Sequence, residues 1–372
     1  MKKETVASIL KVLIALVLIA ALIFVIIYQN RDAQIGGEIN IFKGDGDSRG
    51  IEGYSLGQTM PLGDKALLVT TNTLLLLDRQ GRGEAKEISF SSPAIDLSGK
   101  YVAVYDRGGR SFALYKNDSL VYSLRAEARI VSAITNENGY TAIACQAEVG
   151  ETRITVYNDK GIAFYSWNLG SGQFLAMDLS ADNTHLAVSS LNDDRERMLG
   201  EISIIQLDKE ERQAVCSREN EMYFDLHINR DSTVRALGSE QLDYYNADGS
   251  LRWSLPYNGR TLRSADISDP EMAVLCYAAA DSGFVGNSTE VELINRLGEI
   301  TASTSFDGLC ESLSVNNDKF AVSAGKKIYI YNKKCELLRE LSSNSAVKRM
   351  SLFKDGKTVF ALSGSGGSII SE

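Results

Sequence analysis

Two histidines, His185 and His227, and five cysteines, Cys145, Cys216, Cys276, Cys310 and Cys335, supply all the imidazole and thiol chemistry of this 372-residue chain. A hydrolytic triad needs an imidazole beside a serine and an acid, and no G-x-S-x-G elbow presents such a serine. His185 stands at a turn (DNTHLAV) and His227 in a strand pattern (FDLHINRD), positions that suit surface or packed structural histidines. The cysteines are scattered with no C-x-x-C pair, which argues against zinc. Cys145 (TAIACQA) and Cys276 (AVLCYAA) read as small buried hydrophobes, with a structural disulfide as the alternative. Asp45-Gly46-Asp47-Ser48-Arg49-Gly50 begins like a calcium loop, but Arg49 takes a ligand place and Leu56 stands where a glutamate is needed. Gly364-Ser365-Gly366-Gly367-Ser368 opens no helix and reads as a strand-to-strand turn, not a phosphate loop. The expectation is therefore no cofactor, no metal and no assigned catalytic residue.

Charge narrows the partners. The chain carries a formal net charge of −9; residues 1–28 contribute +2 and leave −11 for the rest. An acidic domain without a basic run gains nothing from phosphate backbones, so nucleic acid is not expected. Ile9–Tyr28 reads ILKVLIALVLIAALIFVIIY, long enough as a helix to cross a hydrocarbon core of roughly 30 Å. Lys11 lies near its start, where a long side chain reaches the interface. No small-x-small cleavage site follows directly, so the segment is expected to remain as an anchor. Lys2, Lys3 and Lys11 place the N-terminus inside. The expected organisation is a cytoplasmic tail over 1–8, a transmembrane helix over 9–28, a linker over 29–37 and a large domain over 38–372, single-pass in the cytoplasmic membrane with that domain outside.

The large domain repeats. Apolar strand, polar turn and apolar strand recur as MPLGDKALLV, IDLSGKYVAV, ITNENGYTAI, DLSADNTHLAV, INRDSTVRAL, ISDPEMAVL, VNNDKFAV and LFKDGKTVFAL, at an average step of about 42 residues. Turns rich in Asp, Asn and Gly favour hairpins because these residues tolerate positive φ. A second hairpin follows most of them, as in FALYKNDS, ITVYNDKG and LDYYNADG. Four strands per repeat predict an all-β fold, a β-propeller of eight four-stranded blades, with seven as the alternative and two β-sandwiches as the runner-up fold. The last repeat runs out at Ser371, and Glu38-Ile39-Asn40-Ile41-Phe42 is the candidate for its missing outer strand.

Tyr245-Asn246-Ala247-Asp248-Gly249-Ser250-Leu251-Arg252-Trp253 resembles the repeat of pyrroloquinoline-quinone-type propellers, in which a D-x-x-G turn leads to a docking tryptophan. Tyr157–Trp167 is a looser copy, so Trp167 and Trp253 are expected at equivalent places, packed between blades. An outer-membrane assembly scaffold lipoprotein is similar in implied fold and is not catalytic. The plan of basic tail, anchor and propeller resembles an uncharacterised family of Gram-positive membrane proteins, a domain-of-unknown-function family.

Function is expected on loops held by that frame. Two steps are long, 49 and 48 residues, through insertions at Leu191–Gly200 and Ala279–Thr289 between the second and third strands of their blades. Asp193, Asp194, Arg195 and Arg197 in the first and Phe284 and Val285 in the second are the candidate binding residues. The expected function is a membrane-tethered scaffold or sensor that binds a protein or another cell-envelope component, with an extracytoplasmic enzyme, quinone-dependent or hydrolytic, as the alternative.

Overall fold

The computed structural model describes residues 37–43, 57–146, 151–170, 172–193, 197–278 and 288–371. The expected anchor and the calcium-like loop lie outside them. Thirty-two strands, numbered β1 to β32 in chain order, form eight antiparallel four-stranded sheets. The fold is an eight-bladed β-propeller. Each blade's first strand faces its counterparts in the neighbouring blades round a central channel.

The turns form where the sequence places them. Gly99, Gly139, Asn183, Ser232 and Gly356, between the first and second strands of their blades, all have φ between 59° and 81°. In the outer hairpins Gly161, Gly249 and Gly298 take the same left-handed region. Cys335 does so with φ 57°, although its Cβ makes that conformation costly.

The ring closes by joining the two ends of the domain. β1 (Glu38–Lys43) pairs antiparallel with β32 (Gly366–Ile370), from Glu38 opposite Ile370 to Lys43 opposite Gly366. The eighth outer hairpin is thus split between the chain's ends, which is why the sequence shows eight inner hairpins and seven outer ones. Gly366 and Gly367 are required there: a Cβ on Gly366 would meet the Phe42 carbonyl oxygen at 2.1 Å, and one on Gly367 the Phe42 ring at 2.5 Å.

Side chains join neighbouring blades. Trp253, on β21 (Leu251–Pro256), lies against Gly298 of the next blade and donates its indole N–H to Arg296 O at 3.0 Å. Tyr165, on β13 (Ala163–Leu169), likewise donates its hydroxyl to Lys209 O of the next blade at 3.1 Å. The expected equivalence of Trp167 and Trp253 is therefore corrected. Trp253 pairs with Tyr244, two residues before its turn's Asn246, and Tyr165 pairs with Val156, two before Asn158; Trp167 sits two residues further along and pairs with Ile154. Tyr165 and Trp167 both pack on the core between the third and fourth blades.

Arg235, fully buried, makes another junction. Its guanidinium donates to the carbonyls of Ile267, Asp269, Pro270 and Met272, the inner turn of the next blade. Asp243, also fully buried, accepts two hydrogen bonds from Arg218 of the preceding blade, at 3.0 and 2.9 Å, and one from the Tyr223 hydroxyl at 2.6 Å. Asp243 is thereby met by polar partners, and Arg235 is met at both terminal nitrogens while its Nε has no partner among the described residues.

Closure should be measurable in stability. Phe42 is 2% exposed and packs with Phe353, Phe360 and Leu75 across the seam. Phe42→Ala removes a buried aromatic side chain and leaves a cavity, at an expected cost of about 3–5 kcal/mol. Urea unfolding should show the midpoint fall; an unchanged midpoint would mean that β1 does not hold the ring.

Candidate functional site

The inner strands surround a channel of about 1170 Å³, lined at one end by inner-turn residues including Gly63, Gly99, Asn136, Pro270 and Lys354. Five aspartates line it: Asp96, Asp178, Asp225 and Asp266 on the inner strands and Asp231 at an inner turn. The lining takes consecutive residues of an inner strand, as at Asp225, Leu226, His227 and Ile228, and mixes polar with apolar side chains.

Some of these side chains also bind blade to blade. Asp96, on β6 (Pro93–Ser98), accepts from Thr135 N of the next blade at 2.7 Å. Asp178, on β14 (Gln173–Leu179), accepts from Ile228 N at 2.8 Å. Gln58 accepts from Ile95 N, and Ser312 and Ser314 accept from Met350 N and Leu352 N. Thr59 and Ser351 hydrogen-bond through their hydroxyls at the last junction, 2.6 Å apart.

Asp225 and Asp266 are different. Asp225 accepts only from its neighbour's backbone, Leu226 N, and Asp266 caps Ser268 of its own turn. Burial in the channel walls raises the carboxyl of Asp225 to about 7, helped by the charges of Asp178, Asp266 and Asp96. Asp225 nonetheless keeps an exposed face toward the channel, where solvent screens part of that effect. Asp96 is raised to about 7 by the same burial; the hydrogen bond from Thr135 N opposes this and Asp178 adds to it. His227, expected as a surface or packed residue, lines the channel with its Nδ1 3.4 Å from an Asp178 oxygen. This site can attract a cation or exchange protons near neutral pH. Among the described residues no group of three His, Cys, Asp or Glu is placed to hold a metal ion. The aspartates gave no local motif, because they come from blades tens of residues apart.

The other expected site lies on the turns between second and third strands. The Leu191–Gly200 insertion is a hairpin rather than a loop. β15 (His185–Asp193) and β16 (Met198–Gln206) run nine residues each, and β17 (Arg212–Glu219) extends with them to pair Glu219 with Leu199. Met198 and Leu199, paired with Asp193 and Asn192, keep the ladder going past the ordinary blade length. Exposed Arg197 forms an ion pair with Glu219, and Arg212 one with Glu201 at 2.6 Å. Asp193 ends β15 opposite Met198. Asp194, Arg195, Phe284 and Val285 lie outside the described residues. His185, at the inner end of the same hairpin, is bound by Thr184 and Gln213.

The profile of a family of unknown function, DUF5711, matches residues 48–370. The chain belongs to that family. In fold it is similar to the C-terminal WD40 domain of Sif2, at 14% identity and a TM-score of 0.63 over 91% of this chain and 99% of that one. It is also similar to BamB from Moraxella catarrhalis, at 11% identity and a TM-score of 0.52 over 90% of this chain and 98% of that one. These likenesses carry the architecture alone. No functionally curated protein matches the sequence.

The channel aspartates fix a pH dependence. A folded-state carboxyl near 7 against 3.8 when unfolded means the folded state keeps its proton longer. Stability from this source is full below pH 4 and falls as pH rises to 7. Asp96→Asn keeps an acceptor for Thr135 N and removes the ionisation. Its melting temperature should exceed that of the parent at pH 8 and match it at pH 4; the same difference at both pH values would refute the assignment.

Proposed function

We propose that this protein is a membrane-tethered, extracytoplasmic propeller that binds a protein or another cell-envelope component, as a scaffold or sensor and without catalysis. The reading of the anchor rests on Ile9–Tyr28 and on the lysines at positions 2, 3 and 11. The reading of the binding role rests on one observation, the extension of β15, β16 and β17 beyond the blade. In the preceding blade, β11 (Thr141–Gln146) and β12 (Thr152–Tyr157) run six residues each. Three paired strands hold the longer hairpin, and Arg197, Glu219, Glu201 and Arg212 give it a charged surface of both signs. A rigid projection on a rigid frame loses little conformational entropy on binding. Mixed charge favours a complementary protein surface over a uniformly anionic one.

Crosslinking the tagged full chain in intact cells tests this reading, with the first 37 residues alone as control. Replacing residues 192–199 with a short Gly-Ser turn, and residues 279–287 in a second variant, should lower recovery of the propeller-dependent partner at least tenfold while leaving the melting temperature unchanged. Unchanged recovery from both folded variants would end the proposal. Protease added to protoplasts should remove a C-terminal tag; a protected tag would place the domain inside.

A further inference from the structure

Strands alternate in direction within every blade, so the turns between second and third strands and the links between blades share one face of the ring. On that face the second blade gathers four arginines. Arg107 and Arg110 bound the turn between β7 (Tyr101–Asp106) and β8 (Ser111–Lys116). Arg125 ends β9 (Ser119–Arg125) and Arg129 begins β10 (Arg129–Thr135), at the two ends of the link to the third blade.

Backbone hydrogen bonds clamp turn and link together. Ala126 N donates to Arg110 O, Gly108 N to Ile130 O and Ile130 N to Gly109 O, each at 2.8 Å. Every residue in these bonds is one of the four arginines or stands next to one. Asp106, just before the turn, is buried and accepts from Ser91 N at 2.8 Å and Ser92 N at 2.7 Å. Gly108 has φ 78°, and a Cβ on Gly109 would clash with the Asp106 carboxyl, so the two glycines let the turn fold this tightly.

All four arginines are exposed, and none holds a carboxylate among the described residues. Arg212, Arg230 and Arg296, elsewhere on the surface, each hold one. The exposed acid of the link is Glu127. Guanidinium groups keep their charge at any physiological pH, and neighbours within a Debye length of about 10 Å repel one another. Turn and link are held by backbone bonds, so the frame does not require these charges. No basic run marks the patch in the sequence, because a turn and a link supply it in pairs.

We propose that Arg107, Arg110, Arg125 and Arg129 form a docking patch for an acidic segment of a protein partner. A guanidinium fork takes a carboxylate through two parallel hydrogen bonds, and four forks on a rigid frame match a short run of Asp or Glu. The −11 left for the rest of the chain after residues 1–28 favours a short segment. A long phosphate polymer would be attracted at the patch and repelled beyond it. The extended hairpin of β15 and β16 is a turn of the same kind two blades on, so patch and hairpin lie on one face. The inference rests on the binding role proposed above and adds the chemistry of the partner.

Fluorescence anisotropy of labelled hexaglutamate, titrated with the full chain in detergent, tests the patch. Binding should appear at low salt and weaken at high salt. Arg110→Glu with Arg129→Glu should weaken it at least tenfold at an unchanged melting temperature; should that variant not fold, Arg110→Gln with Arg129→Gln takes its place with the same expectation. Lys160→Glu with Lys209→Glu, on outer turns at the opposite face, changes the net charge equally and should leave binding unchanged. No binding by the parent, equal loss in both charge-reversed variants, or tighter binding of a polyphosphate of equal charge would each overturn the proposal. Crosslinking in intact cells separates the patch from the binding role. Partner recovery should fall in the arginine variant; recovery lost only when residues 192–199 are replaced would overturn the patch and leave the binding role standing. No partner from the parent would end the binding role, and the titration would still decide the patch.

Discussion

One antiparallel pairing, Glu38–Lys43 on Gly366–Ile370, holds two ends of the domain that are more than three hundred residues apart in sequence. Every other blade is built from consecutive strands, so each can form locally. The ring becomes a ring only when the last blade takes its outer strand from the beginning of the domain. Loop-closure entropy must be met before that pairing contributes anything, so the seam must be strong once made. Its strength is apolar: Ile41, Phe42, Phe353, Phe360 and Ile369 pack as one cluster with the first blade's Leu75 and Leu77. The two glycines at Gly366 and Gly367 let the strands approach, at the cost of side chains that would otherwise pack.

Closure also constrains the axis. The first strand of each blade presents a free backbone edge to its neighbour, and buried N–H groups need acceptors. Across the ring this is met in one direction. Gln58, Asp96, Asp178, Ser312 and Ser314 each accept from the inner strand of the following blade. Two other junctions use the opposite contact, a side-chain donor on the next blade's carbonyls: Asn136 at an inner turn reaches Ser180 O, and Arg235 on the second strand of its blade reaches the carbonyls of the next inner turn. Hydrophobic packing stacks the blades, and these polar contacts fix their angular register.

Much of this was legible in the sequence. Asp-, Asn- and Gly-bearing turns mark the blades because left-handed φ restricts residue type at most of them, and the count of hairpins pointed to a borrowed strand. The misplaced tryptophan shows the limit. Trp167 matches Trp253 as a residue type, but register is set by the distance from the turn, and on that measure Tyr165 is its counterpart. Phenol and indole perform the same docking, each donating to a carbonyl of the next blade. Residue identity was a poor guide where hydrogen-bonding capacity was conserved. The Leu191–Gly200 insertion was legible as extra length and not as structure, since its mixed charges hide the strands that Asn192, Asp193, Met198 and Leu199 continue. The channel's lining was not legible, because its wall is assembled from short stretches of blades that lie tens of residues apart.

The channel's acidity has two origins, and they separate architecture from use. Asp96 and Asp178 spend their oxygens on neighbouring N–H groups, so the ring itself requires acceptors there. An uncharged acceptor would serve equally well, as Gln58 and Ser314 show at other junctions. Asp225 and Asp266 join no blades, and their charges only add to the repulsion that burial imposes. A carboxyl that the channel raises to about 7 is destabilising whenever it ionises, and nothing in the frame requires it. Asp225 is thus the channel residue whose presence the architecture does not explain. Any ligand that enters from the inner-turn end meets its carboxyl in a protonation state that neutral pH divides.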